Sequence, residues 1–131
     1  MKNSPHGQIK VCEEEFIITA AYIGQFNLEG TIIGLKELRN VIESLNGAPF
    51  TMLVDDLNVE GGTPEAYAEL EVFNQWLNSQ KMVAKAMLIN SKLQLKIIDT
   101  LVESRKVQNI ESFTDRKAAM DWLKSELSNK I

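Results

Sequence analysis

Two short, mainly apolar runs, Phe50–Val54 and Met82–Ile89, constrain this chain more than any other feature, because a stretch of helical periodicity separates them. Runs this short and this apolar read as strands covered on both faces. Two such strands joined through a helix lie parallel in one sheet, since only a crossover of that length returns the chain to the same edge.

The alternation extends in both directions. Upstream, Ile9 and Val11 alternate with polar neighbours, an acidic turn Glu13–Glu15 follows, and Phe16, Ile18, Ala20 and Tyr22 recur at every second position, the pattern of a β-hairpin. Residues 24–47 then place Leu28, Ile32, Leu35, Leu38, Ile42 and Leu45 on one helical stripe, with Asn27 as cap and Asn46-Gly47 as stop. Asp55 and Asp56 are expected to close the strand after Val54. Thr63, Pro64 and Glu65 open a second helix, running to about Gln80, with a capping hydroxyl, a proline in the first turn and a carboxylate at the positive dipole end. Ser91 caps a third helix carrying Ile97, Ile98, Leu101 and Val102; Val107–Phe113 is the last strand; Thr114-Asp115 opens a terminal helix with Ala119, Trp122, Leu123 and Leu127 inward. The expected fold is α/β: a mixed, largely parallel five-stranded sheet with an N-terminal hairpin and four helices. Residues 1–131 are read as a single domain with an ordered core over about 8–127, the first seven residues forming a loose terminus.

Composition narrows the function classes. At 131 residues, 44% hydrophobic and 24% charged, the chain is of ordinary globular make-up, and a net charge of −4 argues against nucleic-acid binding, which needs a basic footprint. The lone Cys12 cannot form an internal disulfide and suits a reducing cytoplasm. The apolar stretch Phe16–Gly24 follows three glutamates where a signal peptide has basic residues, and it is too short to span a bilayer.

No residue set amounts to a catalytic or metal centre. One histidine, His6, lies in the expected loose terminus, so no metal or cofactor is expected, and Cys12 reads as a small buried hydrophobe. The glycines of GTIIGLK (30–36) lack phosphate-loop spacing and read as helix-packing positions, while Gly61-Gly62 is flanked by Glu60 and Glu65, whose charges oppose a phosphate. Asp55 and Asp56 fall at the C-terminal end of a parallel strand, where open α/β sheets place ligands. Adjacent strand residues point to opposite faces, however, so both serve one substrate only if the strand has already ended; the simpler reading is a pair of loop carboxylates. Phe73 and Trp76 share a helix face with Leu77, and together they offer more apolar surface than one sheet face requires: a ligand cavity or a homodimer patch.

The stretches MLVDDLNVEGGTPEA (52–66), KMVAKAMLI (81–89) and VQNIESFTDRKAAMDWL (107–123) together resemble the SpoIIAA-like family, most specifically through Phe113, Ala119, Trp122 and Leu123. That family holds the STAS domains of anti-sigma-factor antagonists and sulphate transporters, with small stand-alone relatives described as STAS- or CRAL-TRIO-like. The resemblance implies a sheet wound with helices as a β-α superhelix. It also implies a phosphorylation candidate, because the antagonists carry a phosphorylated hydroxyl in an Asp-Ser-Ser-Gly-like motif. Glu60-Gly61-Gly62-Thr63-Pro64 stands there in this chain, keeping the hydroxyl of Thr63 without the motif, so Thr63 is read chiefly as a helix cap.

The expected function is therefore a non-catalytic binding or regulatory module, acting through a protein partner or a small apolar ligand, with Asp55, Asp56, Thr63, Phe73 and Trp76 as candidate contact residues. The alternative is an enzyme using Asp55 or Asp56 as a general base. A closed apolar cavity favours the first; a polar cleft joining Asp56 to other titratable groups favours the second.

Overall fold

A computed structural model describes residues 3–130. Among them the elements follow in the order β1 (Gln8–Glu14), β2 (Ile17–Phe26), α1 (Leu28–Glu43), β3 (Phe50–Gly62), α2 (Pro64–Leu77), β4 (Met82–Leu88), α3 (Lys92–Leu101), a 3-10 turn (Glu103–Val107), β5 (Ile110–Phe113) and α4 (Arg116–Ser128). The strands lie side by side in chain order, β1 antiparallel to β2 and the remaining neighbours parallel. This is the expected mixed sheet with its hairpin and four helices.

Chain-order stacking decides how the helices are shared out. Each parallel strand is added beside its predecessor in the same direction, so crossovers of one hand deliver their helices to the same face. α1, α2 and α3 accordingly crowd one side, while α4, which is no crossover, takes the other. The pleat sorts the side chains to match: Phe50, Met52 and Val54 join the core under α1 and α2, whereas Leu53 meets Ala119, Leu123 and Leu127 of α4. On β4, Met87 faces the first core, joined by Ile89 just beyond the strand, and Ala84, Ala86 and Leu88 face the second.

The hairpin turn differs from expectation. Its two loop residues are Glu15 and Phe16, both with positive φ (51° and 67°), and the pairing closes at Glu14–Ile17. That is the backbone of a type I′ turn, whose twist matches the strands it joins. Phe16 is thus a half-exposed tip residue and not the first inward position of β2, and the Glu13 carboxylate accepts a bond from its N–H (3.0 Å).

Other boundaries move for identifiable reasons. β2 runs on to Phe26 and β3 to Gly62 because their ends pair with each other, Phe26 opposite Gly62, beyond the point where β4 leaves the sheet. Asp55 and Asp56 therefore do not close β3; Asp55 is the last β3 residue paired with β4. The residues just before β5 coil into the 3-10 turn, so that strand begins at Ile110 instead of Val107. α2 stops at Leu77. On the expected α1 stripe Ile32 is exposed, and Gly34 takes the inward place against Ile9. Cys12 is exposed as well, because α4 packs on β3, β4 and β5 and leaves the back of the edge strand β1 uncovered.

The segment before β1 is held in place, contrary to the loose terminus expected; for Met1 and Lys2 that expectation lies outside the described residues. The Asn27 side chain, while capping α1 through the Gly30 N–H, also accepts from the His6 N–H (2.9 Å) and donates to the Ser4 carbonyl (2.8 Å). The His6 carbonyl sits where a Cβ on Gly30 would be, at 1.8 Å, so only glycine lets the segment cross α1 there.

Replacing Glu15-Phe16 by Asn-Gly tests the turn. Relieving two left-handed non-glycine residues should stabilise the protein by about 1–2 kcal/mol, read as a higher urea midpoint at unchanged slope.

Candidate functional site

The pleat carries three polar side chains onto the helix-covered face of three adjacent strands. Tyr22 continues the series Ile18, Ala20 on β2; Asp56 continues Met52, Val54 on β3; Lys85 precedes Met87 on β4. Between them and the helices lies a cavity of about 70 Å³. Its wall is mainly apolar, with Phe26, Met52, Val54, Leu70, Phe73 and Met87, while Tyr67 of α2, Gln94 and Ile98 of α3 and Arg105 of the 3-10 turn complete it. The site stands at the C-terminal ends of the strands, where an open α/β sheet leaves a crevice.

Arg105 is buried at 4% exposure. Its Nη1 pairs with Asp99 at the end of α3, and its Nη2 has no partner within the described residues. The turn that presents it is pinned to α2: Glu71 accepts from both the Ser104 N–H and hydroxyl, and those bonds hold the Glu71 carboxyl below its usual range. Asn78 adds a bond to the Ser104 carbonyl (2.9 Å).

Lys85 is equally buried, and its Nζ donates to Asn74 Oδ1 (2.9 Å). That oxygen also accepts from Gln108 Nε2 (3.0 Å), while Asn74 Nδ2 donates to the Leu70 carbonyl (2.9 Å), so the buried Asn74 amide is held in place to position the lysine. Desolvation first, and the Arg105 charge second, push the Lys85 ammonium down to about 7, against a partial pull from Asp56. Burial likewise pushes Asp56 up to about 6, Arg105 and Lys85 opposing and Asp55 assisting. The hydroxyls of Tyr22 and Tyr67 are raised by burial and then by Asp56, so both remain protonated donors at neutral pH. The arrangement can hydrogen-bond an acceptor, supply positive charge in a low-dielectric space and exchange protons near neutrality.

Of the residues singled out from the sequence, Asp56 and Phe73 line this cavity. Asp55 does not: it points to the other face, pairs with Arg116 of α4 and accepts from the Leu57 N–H (3.1 Å). Thr63 caps α2 through the Ala66 N–H (3.2 Å). Phe73 and Leu77 are buried in the chain's own core, and Trp76 stacks on Phe73 (centroids 5.5 Å) beneath the Arg39 guanidinium (4.4 Å). The apolar face that motivated a homodimer is thus engaged by the chain's own core. Tyr22, Asn74, Lys85 and Arg105 were not singled out. Lys85 had a readable signal, a cation inside an apolar strand; Arg105 had none, since only the 3-10 turn directs it inward. Among the described residues no group of three or more His, Cys, Asp or Glu side chains could hold a metal ion, and no helix is long and apolar enough to cross a membrane.

No protein-family model matches the chain. No curated protein matches it either. Solved structures do: one similar structure is an uncharacterised protein of the DUF3478 family with a SpoIIAA-like fold from Shewanella loihica PV-4, 16% identical, with a TM-score of 0.63 over 94% of this chain and 98% of that one. The chain has the SpoIIAA-like fold.

Lys85 makes the pH dependence testable. The unfolded lysine holds its proton up to about 10.5 and the buried one only to about 7, so the folded state is penalised increasingly as pH falls from 10.5 to 7, and by a constant amount below. Lys85→Met leaves Asn74 Oδ1 its bond from Gln108 and removes the penalty. Denaturation at pH 7 and pH 9 should show the variant more stable by at least about 1 kcal/mol at pH 7, with the wild type closing the gap at pH 9. The Thr63 cap gives a second test: Thr63→Ala should cost about 1 kcal/mol in urea denaturation, while Thr63→Ser and Thr63→Asp remain close to wild type.

Proposed function

We propose that the protein is a non-catalytic binding module whose cavity between the sheet and α2/α3 receives a small, mainly apolar molecule. The cavity itself carries this reading: a space of about 70 Å³ at the strand ends, walled largely by apolar side chains with Tyr22, Asp56, Lys85 and Arg105 set among them. A stable core has no need of such a space, because an interior closes to crystal-like density unless something keeps it open. A continuous groove formed by Gly61, Pro64, Tyr67, Gln94, Ile97 and Leu101 adjoins it and offers an entrance between α2 and α3.

Protein contact is the less supported form of binding. The large exposed apolar residues, Phe16, Ile32, Ile33, Val72, Leu93, Leu101 and Val107, are spread over the hairpin turn, α1, α2, α3 and the 3-10 turn instead of being gathered on one element. Thr63 is used as a helix cap, which supports a structural role over a phosphorylation switch. The exposed free thiol of Cys12 suits a reducing compartment, and the reading places the module in the cytoplasm.

The enzyme reading retains one specific support, that Asp56 shares the cavity with Lys85, Arg105 and two tyrosines. Asp55 drops out of it, being tied to Arg116 on the opposite face.

Hexanol, a neutral apolar probe whose chain exceeds the 70 Å³ space and so runs on into the adjoining groove, tests the binding reading by NMR. With methyl-labelled methionines, saturable shifts are expected at Met52 and Met87, which line the cavity, and not at Met120, which lies on α4 against the opposite core. Val59→Trp, placing an indole in the cavity wall, should abolish them. Shifts that never saturate, or that persist in the filled variant, would contradict the reading.

A further inference from the structure

We propose that the ligand of this cavity is a small organic acid whose carboxylate is received by Arg105 Nη2 and Lys85 Nζ. The inference rests on the binding reading above and adds the chemical class of the ligand. Its geometric basis is the orphan donor: the Arg105 guanidinium is 4% exposed, Asp99 occupies Nη1, and Nη2 is buried without an acceptor on a side chain that lines the cavity. Buried donors are almost always partnered, and leaving an ionised one unpaired is among the more costly defects a fold can carry. Fold stability alone would favour an apolar residue here. Yet Ser104, the neighbour of Arg105, is clamped to Glu71 and Asn78, so the guanidinium is presented deliberately and held there.

Charge and shape select the class. Around the cavity β2 contributes Tyr22, β3 Asp56, α2 Tyr67, β4 Lys85 and the 3-10 turn Arg105, while α1 contributes Thr31 and α3 Gln94, both neutral. Within the cavity the two cations face the single carboxylate of Asp56, and Asp99, reaching Arg105 from the more exposed side, takes only Nη1, so Nη2 still lacks a charged acceptor. A carboxylate supplies it, and its planar oxygens suit one free guanidinium N–H group beside an ammonium. A phosphate monoester carries about −1.5 to −2 at neutral pH and would leave excess negative charge beside Asp56 in a buried space. An amine would meet two cations. The remaining wall, with Met52, Val54, Phe73 and Met87, accommodates the hydrocarbon part.

Hexanoate, hexanol and hexyl phosphate, which share one chain and differ only in head group, test the assignment by titration calorimetry and methyl NMR on the full chain. Hexanoate should bind at least about tenfold tighter than either of the others, and Arg105→Gln and Lys85→Met should each collapse that preference. Because Arg105→Gln frees Asp99, the more conservative Arg105→Lys accompanies it, and a dispersed amide spectrum certifies each variant as folded. Hexanol equalling hexanoate in the wild type, or a preference that survives in the folded variants, would overturn the carboxylate assignment while leaving the apolar cavity reading intact. Tighter binding of hexyl phosphate would overturn it in favour of a phosphate ligand. Absence of saturable binding by both hexanol and hexanoate would remove the cavity reading and this inference together.

Discussion

The strict alternation of the β3 pleat governs both faces of this protein. From Phe50 to Asp56 every even-numbered side chain enters the layer beneath α1 and α2 and every buried odd-numbered one turns toward α4. Two neighbouring aspartates are thereby given unrelated tasks. Asp55 ties the start of α4 to the sheet through Arg116, and Asp56 enters the cavity beside Lys85 and Arg105. A shift of one residue in the register would exchange them, burying Asp55 among the cavity groups and stranding Arg116.

What surrounds Asp56 is costly to hold. A lysine whose ammonium is suppressed toward 7, a carboxyl raised toward 6 and an arginine with an unpartnered nitrogen all lie in one apolar-walled space. Ion pairs in such surroundings rarely repay their desolvation, and apolar residues of similar volume would serve stability as well or better. The supporting groups point the same way: Asn74 is buried in the middle of α2 with its side chain bonded to Lys85, Gln108 and the Leu70 carbonyl, Lys85 and Gln108 sharing its oxygen. Polar networks of this kind cost a small core stability, which is the trade that the proposed ligand site would make.

The wall that closes the site is the least buried part of the helical layer. α3 has no fully buried residue, and polar tethers hold its leading end: Gln94 to the Glu60 carbonyl (3.3 Å), with Asn90 just before it bonded to the Leu57 carbonyl (3.2 Å). These anchors grip the overhanging part of β3, beyond its pairing with β4. The same overhang that the hairpin strand β2 supports through Phe26 and Gly62 therefore also seats the helix over the cavity.

Much of this was open to reading from the chain alone, because it depends on interactions near in sequence. Caps at Asn27, Thr63, Ser91 and Asp115 are bonds to an N–H three residues on, and the periods of the apolar residues distinguish strand from helix without knowledge of neighbours. That local information was enough for the element order, the mixed sheet and the resemblance to the SpoIIAA-like fold. Where β3 ends was decided by β2, which pairs with it past the aspartates; whether Cys12 is covered was decided by where α4 lands; and the partners of Phe73 and Trp76 came from other elements. The site is the extreme case. Lys85 could be noticed as a cation in an apolar strand, but its meeting with Tyr22, Asp56 and Arg105 spans most of the chain and exists only once three strands are in register and a 3-10 turn replaces the expected start of β5. Burial, which shifts the protonation of Lys85, Asp56 and Tyr22, is a property of the assembled layers and has no counterpart in the order of the residues.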